Sequence, residues 1–116
     1  MKTTNPQLLE AIRMLRKTSR TYDVDIWRAL SEELLRHKHS RVSVNLSRIS
    51  RSLKDGEIAA VPGKVLGTGN PGKISVAAFN FSEMARKKIE EKGGECFSLE
   101  ELVERNPKGS GVRIIG

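Results

Sequence analysis

Lys64 and Lys73 bracket the chemically most suggestive stretch of the chain, VPGKVLGTGNPGK at residues 61–73, which is rich in glycine and holds no acid. It spells two nucleotide-binding signatures at once. Gly67 to Gly72 is a G-x-G-x-x-G, and Gly67 to Lys73 is a G-x-x-x-x-G-K. Nucleotide chemistry needs more than the letters. A phosphate loop follows its lysine with a hydroxyl that holds magnesium, and it opens into a helix whose N-terminus faces the phosphates. Here Ile74 takes the hydroxyl position, a β-patterned run follows, and Pro71 deletes one N–H from the cradle. The dinucleotide fingerprint also needs a strand before it and a helix after it. A nucleotide-dependent enzyme using Gly67–Lys73 is therefore the alternative, and a Gly-rich β-turn joining two strands is the leading reading. That turn explains the glycines but not the lysines. No acid stands between Glu57 and Glu83 to pair with them, so both point to phosphate contact with a sugar-phosphate backbone.

Other constellations are thinner. His37-x-His39 with Cys96 is too sparse for zinc, so no metal is expected. No G-x-S-x-G elbow marks a nucleophile, so no catalytic residue and no cofactor is assigned. One cysteine excludes an internal disulfide. Trp27, Cys96, Phe79 and Phe81 read as core, the two phenylalanines sharing a strand face without an RNA-binding signature around them.

Charge carries more information. The 116 residues have a net charge of +7, unevenly spread: residues 1–56 carry +6 and residues 57–116 carry +1. From Glu33 to Asp55 six basic residues and two histidines occur without an acid between. An uncompensated run of this length predicts an anionic partner, and nucleic acid is the commonest. No apolar run is long enough for a membrane span, and no membrane partner or export is expected.

These residues need elements to position them. Asn5-Pro6 predicts a helix start, with Leu8, Ala11, Ile12 and Leu15 inward and Arg13, Arg16, Lys17 and Arg20 outward. Asp25 predicts the cap of a second helix over 26–37, with Trp27, Leu30 and Leu34 on one face and Arg36 and His37 at its end. The linker HKHSR adds Lys38, His39 and Arg41. A third helix fits 43–54: Val42, Leu46, Ile49 and Leu53 share an arc, with Arg41, Arg48, Arg51 and Lys54 opposite and Asn45 at the boundary. Beyond Gly56 the pattern becomes strand–helix alternation: EIAAV and ISVAAFNF as strands, a helix capped by Ser82, a short strand at Glu95–Phe97, a capping box at Ser98–Glu101, and a last strand in GVRIIG. The fold class is α/β, one domain over 1–116 with a basic helical part (1–56) and an α/β part (57–116). The predicted RNA-binding set is thus Arg13, Arg16, Lys17, Arg20, Arg36, His37, Lys38, His39, Arg41, Asn45, Arg48, Arg51, Lys54, Lys64 and Lys73.

At longer range VPGKVLGTGNPGKISVAAFNFSEMARKKI, continuing to GGECFSLEEL and NPKGSGVRIIG, resembles the archaeal and eukaryotic large-subunit ribosomal protein family L-eighteen-e. NPQLLEAIRMLRKTSR and VNLSRI are similar to its archaeal form. The resemblance spans nearly the whole chain. It implies a non-catalytic constituent of the large ribosomal subunit that binds large-subunit rRNA in the cytoplasm. It also implies a fold of irregular ββα turns with the basic helices packed on a small sheet, and neighbouring ribosomal proteins as partners of a monomeric chain without a small-molecule substrate. An RNA-binding module outside the ribosome shares every charge feature.

Overall fold

The computed structural model describes residues 5–37 and 42–116. It is mixed α/β, in the order α1 (Pro6–Tyr22), α2 (Asp25–Arg36), β1 (Val42–Asn45), α3 (Leu46–Ser52), β2 (Ile58–Leu66), β3 (Ser75–Phe81), α4 (Glu83–Glu91), β4 (Glu95–Ser98), α5 (Leu99–Arg105) and β5 (Val112–Ile114). Lys38, His39 and Arg41 lie outside the described residues.

The helix starts follow local chemistry. The Asn5 side chain accepts the Gln7 N–H at 2.8 Å, with Pro6 at the first helical position where no N–H is needed. Ser82 accepts from Ala85, and Ser98 and Glu101 form the reciprocal capping box. At α2 the cap differs from the prediction. Asp25 is the first helical residue, and Val24 holds the cap position without a side-chain bond. The reason is Ser19, whose hydroxyl donates to the Val24 carbonyl at 2.7 Å while its own carbonyl accepts the Val24 N–H at 3.1 Å. That clamp fixes the tight α1–α2 connection and satisfies a buried hydroxyl.

The third predicted helix is corrected. Residues 42–45 are a strand, and only Leu46–Ser52 are helical. Val42, Leu46 and Ile49 fit a helical arc, but Val42-Ser43-Val44 also alternates, and β-branched valines suit a sheet. Tertiary pairing decides: β1 lies parallel to β2, Val42 opposite Gly63 and Val44 opposite Val65. A Cβ on Gly63 would lie 2.1 Å from the Val42 carbonyl oxygen, so glycine is what admits β1.

All paired strands are parallel, in the order β1-β2-β3-β4, and β5 also joins β2. β2 is the centre. Its one side pairs with β3, and its other pairs first with β5 (58–60) and then with β1 (63–66). Pro62 falls at the changeover, where a missing N–H breaks no ladder, and the β3 register shifts between Val61 and Lys64. Helices cover both faces. One core joins Leu8, Leu15, Trp27, Leu30 and Leu34 with Leu99 and Leu102 over Ala60 and Ala77; the other joins Leu46 and Ile49 with Ala85 and Ile89 over Val61, Val65 and Val76. Trp27 is fully buried, and its indole N–H donates to the Pro107 carbonyl at 2.7 Å. Phe79 and Phe81 are half-buried and pack against different cores, so they do not share a face; the register shift in β2 separates them.

Candidate nucleic-acid interface

The glycine stretch is also corrected. β2 runs on through Pro62, Gly63 and Lys64 to Leu66, so Lys64 is a strand residue. β2 and β3 are parallel, which rules out a hairpin turn: residues 67–74 must travel back along the sheet before β3 begins. They do so pressed between α3 and α4. A Cβ on Gly67 would meet Met84 of α4 at 2.6 Å, and one on Gly69 would meet Ser47 of α3 at 2.6 Å. The Ser47 N–H donates to the Thr68 carbonyl at 3.2 Å. Lys88 Nζ donates to the carbonyls of Gly67 at 2.7 Å and Gly69 at 3.2 Å. So the close approach these two glycines permit is to the protein's own helices. The segment offers carbonyls to an internal ammonium group and leads into a strand, which is the opposite of a phosphate cradle at a helix N-terminus.

Lys88 was invisible to residue-pattern reasoning because its partners are main-chain carbonyls. Lys88→Met should destabilise the protein by about 1–2 kcal/mol, the usual cost of orphaning acceptors of charged bonds. Amide exchange should accelerate at Gly67–Asn70 more than in β2 or β3. Uniform exchange across the sheet would show that Lys88 does not pin this crossover.

The structure sorts the predicted basic residues into two groups. Arg13, Arg16, Lys17 and Arg20 are all exposed on the side of α1 away from its buried Leu8, Ile12 and Leu15. Arg48, Arg51 and Lys54 are exposed on and just after α3, on the other face of the sheet. Exposed Lys73 joins this second group, since Lys54 and Lys73 line one groove, together with Ser50, Ser75 and the carboxylates Asp55, Glu57 and Glu95. The groups are not brought into one patch; they belong to helices that cover opposite faces of the sheet.

Several predicted residues are already engaged. Arg36 makes a forked pair with Glu33 at 2.7 and 2.8 Å, and His37 Nε2 lies 3.6 Å from the same carboxylate. Arg48 donates to the Gly116 carbonyl at 2.6 Å. Asn45 stands exposed at the start of α3 and makes no capping bond. Among the described residues Lys64 and Lys73 have no ion-pair partner. Register adds two residues that sequence could not supply. Lys64 lies opposite Ser43 of β1 and Asn80 of β3, so a hydroxyl, an ammonium and an amide stand in one row across three strands. Ser43 and Asn80 are exposed, and Lys64 is half-exposed. A row at strand spacing, about 4.8 Å, can hydrogen-bond successive groups of a nucleic-acid backbone.

Near Lys54 the local field is held in check. Arg113 forks onto Glu57 at 2.9 and 3.0 Å, and the Lys54 N–H donates to the same carboxylate at 2.8 Å. The Arg113 bond first, then the Lys54 N–H, lower the Glu57 pKa from 4.5 to about 2. A carboxylate depressed in the folded state adds stability that is present above its ordinary pKa and is lost as pH falls through the folded value. The window is therefore pH 4.5 down to about 2. Glu57→Gln should remove this part of the acid sensitivity, so the two proteins converge in melting temperature as pH drops through that window. Parallel curves would contradict the assignment.

Among the described residues no three His, Cys, Asp or Glu side chains gather as a metal site, and no helix is long and apolar enough to cross a membrane. Cys96 is half-buried, and burial pushes its thiol pKa up.

Against this geometry the comparisons with known proteins are consistent along the chain. The family model described as ribosomal protein 60S L18 and 50S L18e matches residues 1–116. The chain is 45% identical over 112 residues to the large ribosomal subunit protein eL18 of Methanospirillum hungatei, covering 96% of this chain and 93% of that one. It is 42% identical over 116 residues to the protein of the same name from Archaeoglobus fulgidus, with 99% of each covered. A third, from Methanosphaerula palustris, is 46% identical over 116 residues, covering 99% of this chain and 96% of that one. With the whole length matched by the family model and by relatives at 42 to 46% identity, the chain belongs to the 60S L18 and 50S L18e family of large-subunit ribosomal proteins.

Proposed function

We propose that this member of the family binds large-subunit rRNA as a non-catalytic, monomeric structural component, by neutralising phosphates of separate RNA segments on its two faces. The observation that carries the reading is the division of exposed basic residues: Arg13, Arg16, Lys17 and Arg20 on one side, Arg51, Lys54 and Lys73 on the other, each opposite a filled apolar core. A protein with cations on both sides of a thin sheet is suited to being clasped between RNA segments. Arg48 extends the second contact, while the Ser43–Lys64–Asn80 row, which alternates with Val44 and Val65 of the second core, faces the side of α1 and adds to the first. Lys38, His39 and Arg41, in the linker before β1, belong to the same reading by sequence position, whereas Arg36 and His37 contribute less because Glu33 compensates them.

Melting experiments separate this from nucleotide chemistry, because any ligand of the folded state raises the melting temperature. Large-subunit rRNA should raise it, and Mg-ATP or NAD should leave it unchanged. A rise with Mg-ATP that disappears in Lys73→Ala would overturn the reading.

A further inference from the structure

The sheet ends at β4, which pairs with β3 and has no strand on its other side among the described residues. In a parallel ladder the main-chain groups of successive residues turn alternately to the two sides. Glu95 gives its N–H to the Ile74 carbonyl at 3.1 Å, so the N–H and C=O of Cys96 face outward. Beside them is a cavity of about 150 Å³ lined by Phe79, Phe81, Phe97, Cys96, Arg86 and Glu101, among others. It lies where α4 leaves β3 on one face and α5 leaves β4 on the other, the crevice at strand C-terminal ends where open α/β sheets receive ligands.

Charge decides what suits it. Residues 83–105, which are α4, β4 and α5, hold seven of the fourteen carboxylates and carry −2, while the rest of the chain carries +9. The two arginines at this edge are occupied. Arg86 stacks over Phe81 with 5.0 Å to the ring centre; Arg105 stacks over Phe97 at 4.4 Å and reaches Glu95 at 3.5 Å. Phosphates are repelled by such an edge, and lysine or arginine side chains are attracted to it.

We propose that the β4 edge and its crevice dock an extended, basic segment of a neighbouring protein, which adds to the sheet through Cys96 and sets a side chain into the crevice. The proposal rests on the RNA-binding reading only in leaving this edge free of RNA, and its test contains no rRNA. The isotope-labelled full chain is titrated with a short peptide alternating lysine and valine, with a glutamate–valine peptide of equal length, and with oligouridylate. The lysine peptide should shift the amides of Glu95–Ser98, and the glutamate peptide should not. Glu95→Lys should weaken that binding roughly two- to fivefold, as loss of an exposed charge pair does. No shift at β4, equal shifts with both peptides, or the same amides shifted by oligouridylate would overturn it.

Discussion

Gly63→Ala should remove β1 from the sheet and lower the melting temperature by more than 10 °C. The added Cβ would lie 2.1 Å from the Val42 carbonyl oxygen and 2.9 Å from its carbon, both main-chain atoms of the adjacent strand. No side-chain rotation relieves such a contact, so β1 must separate from β2. With it go the buried Val44 and the anchorage of Leu46 and Ile49, which roof the second core. Overpacking alone costs about 1–3 kcal/mol, and opening a core costs further. Together these come to about 3 kcal/mol or more, and at about 4 °C per kcal/mol for a small domain the loss exceeds 10 °C. Thermal unfolding measures the loss, and limited proteolysis should place the first cuts between Val42 and Ser52. A melting temperature within a few degrees of the unaltered protein would mean that β1 is not held as described.

The second large effect is on binding. Arg13, Arg16, Lys17 and Arg20, all changed to Glu, form one variant; Arg51, Lys54 and Lys73, changed likewise, form the other. All seven positions are exposed, so both variants should keep native circular dichroism and melting behaviour. At about 1 kcal/mol or more for each charge-assisted contact removed, each variant should bind large-subunit rRNA at least a hundredfold more weakly. Because the groups lie on opposite faces and share no contact, the losses should multiply in the combined variant. If one variant binds normally while the other accounts for the whole loss, RNA meets a single face.

Much of this could be read from sequence because it depends on local chemistry. Asn5-Pro6, Ser82 and Ser98 announce helix starts wherever the chain goes, and Trp27, Leu30 and Leu34 share a face by spacing alone. The outward arginines of α1 follow from the same spacing. What sequence could not supply depends on partners remote in the chain. Residues 42–45 satisfy two periodicities, and only Gly63 settles which applies. The glycine-rich segment has hairpin composition, but its path back along β2 is set by α3 and α4, whose Ser47 and Met84 fill the space beside its glycines. Lys64 meets Ser43 and Asn80 through register, which no residue pattern encodes. By sequence Lys64 and Lys73 flank one loop. They instead belong to separate places, a strand and the groove beside Lys54.

Two-faced phosphate binding is tested most directly by the salt dependence of affinity for large-subunit rRNA, compared between the unaltered protein and the two face variants. With about six phosphates neutralised, log affinity should fall against log salt with a slope of roughly −4 to −5, and each variant should lose about half of that slope. A slope near zero in the unaltered protein, or an unchanged slope in either variant, would contradict it.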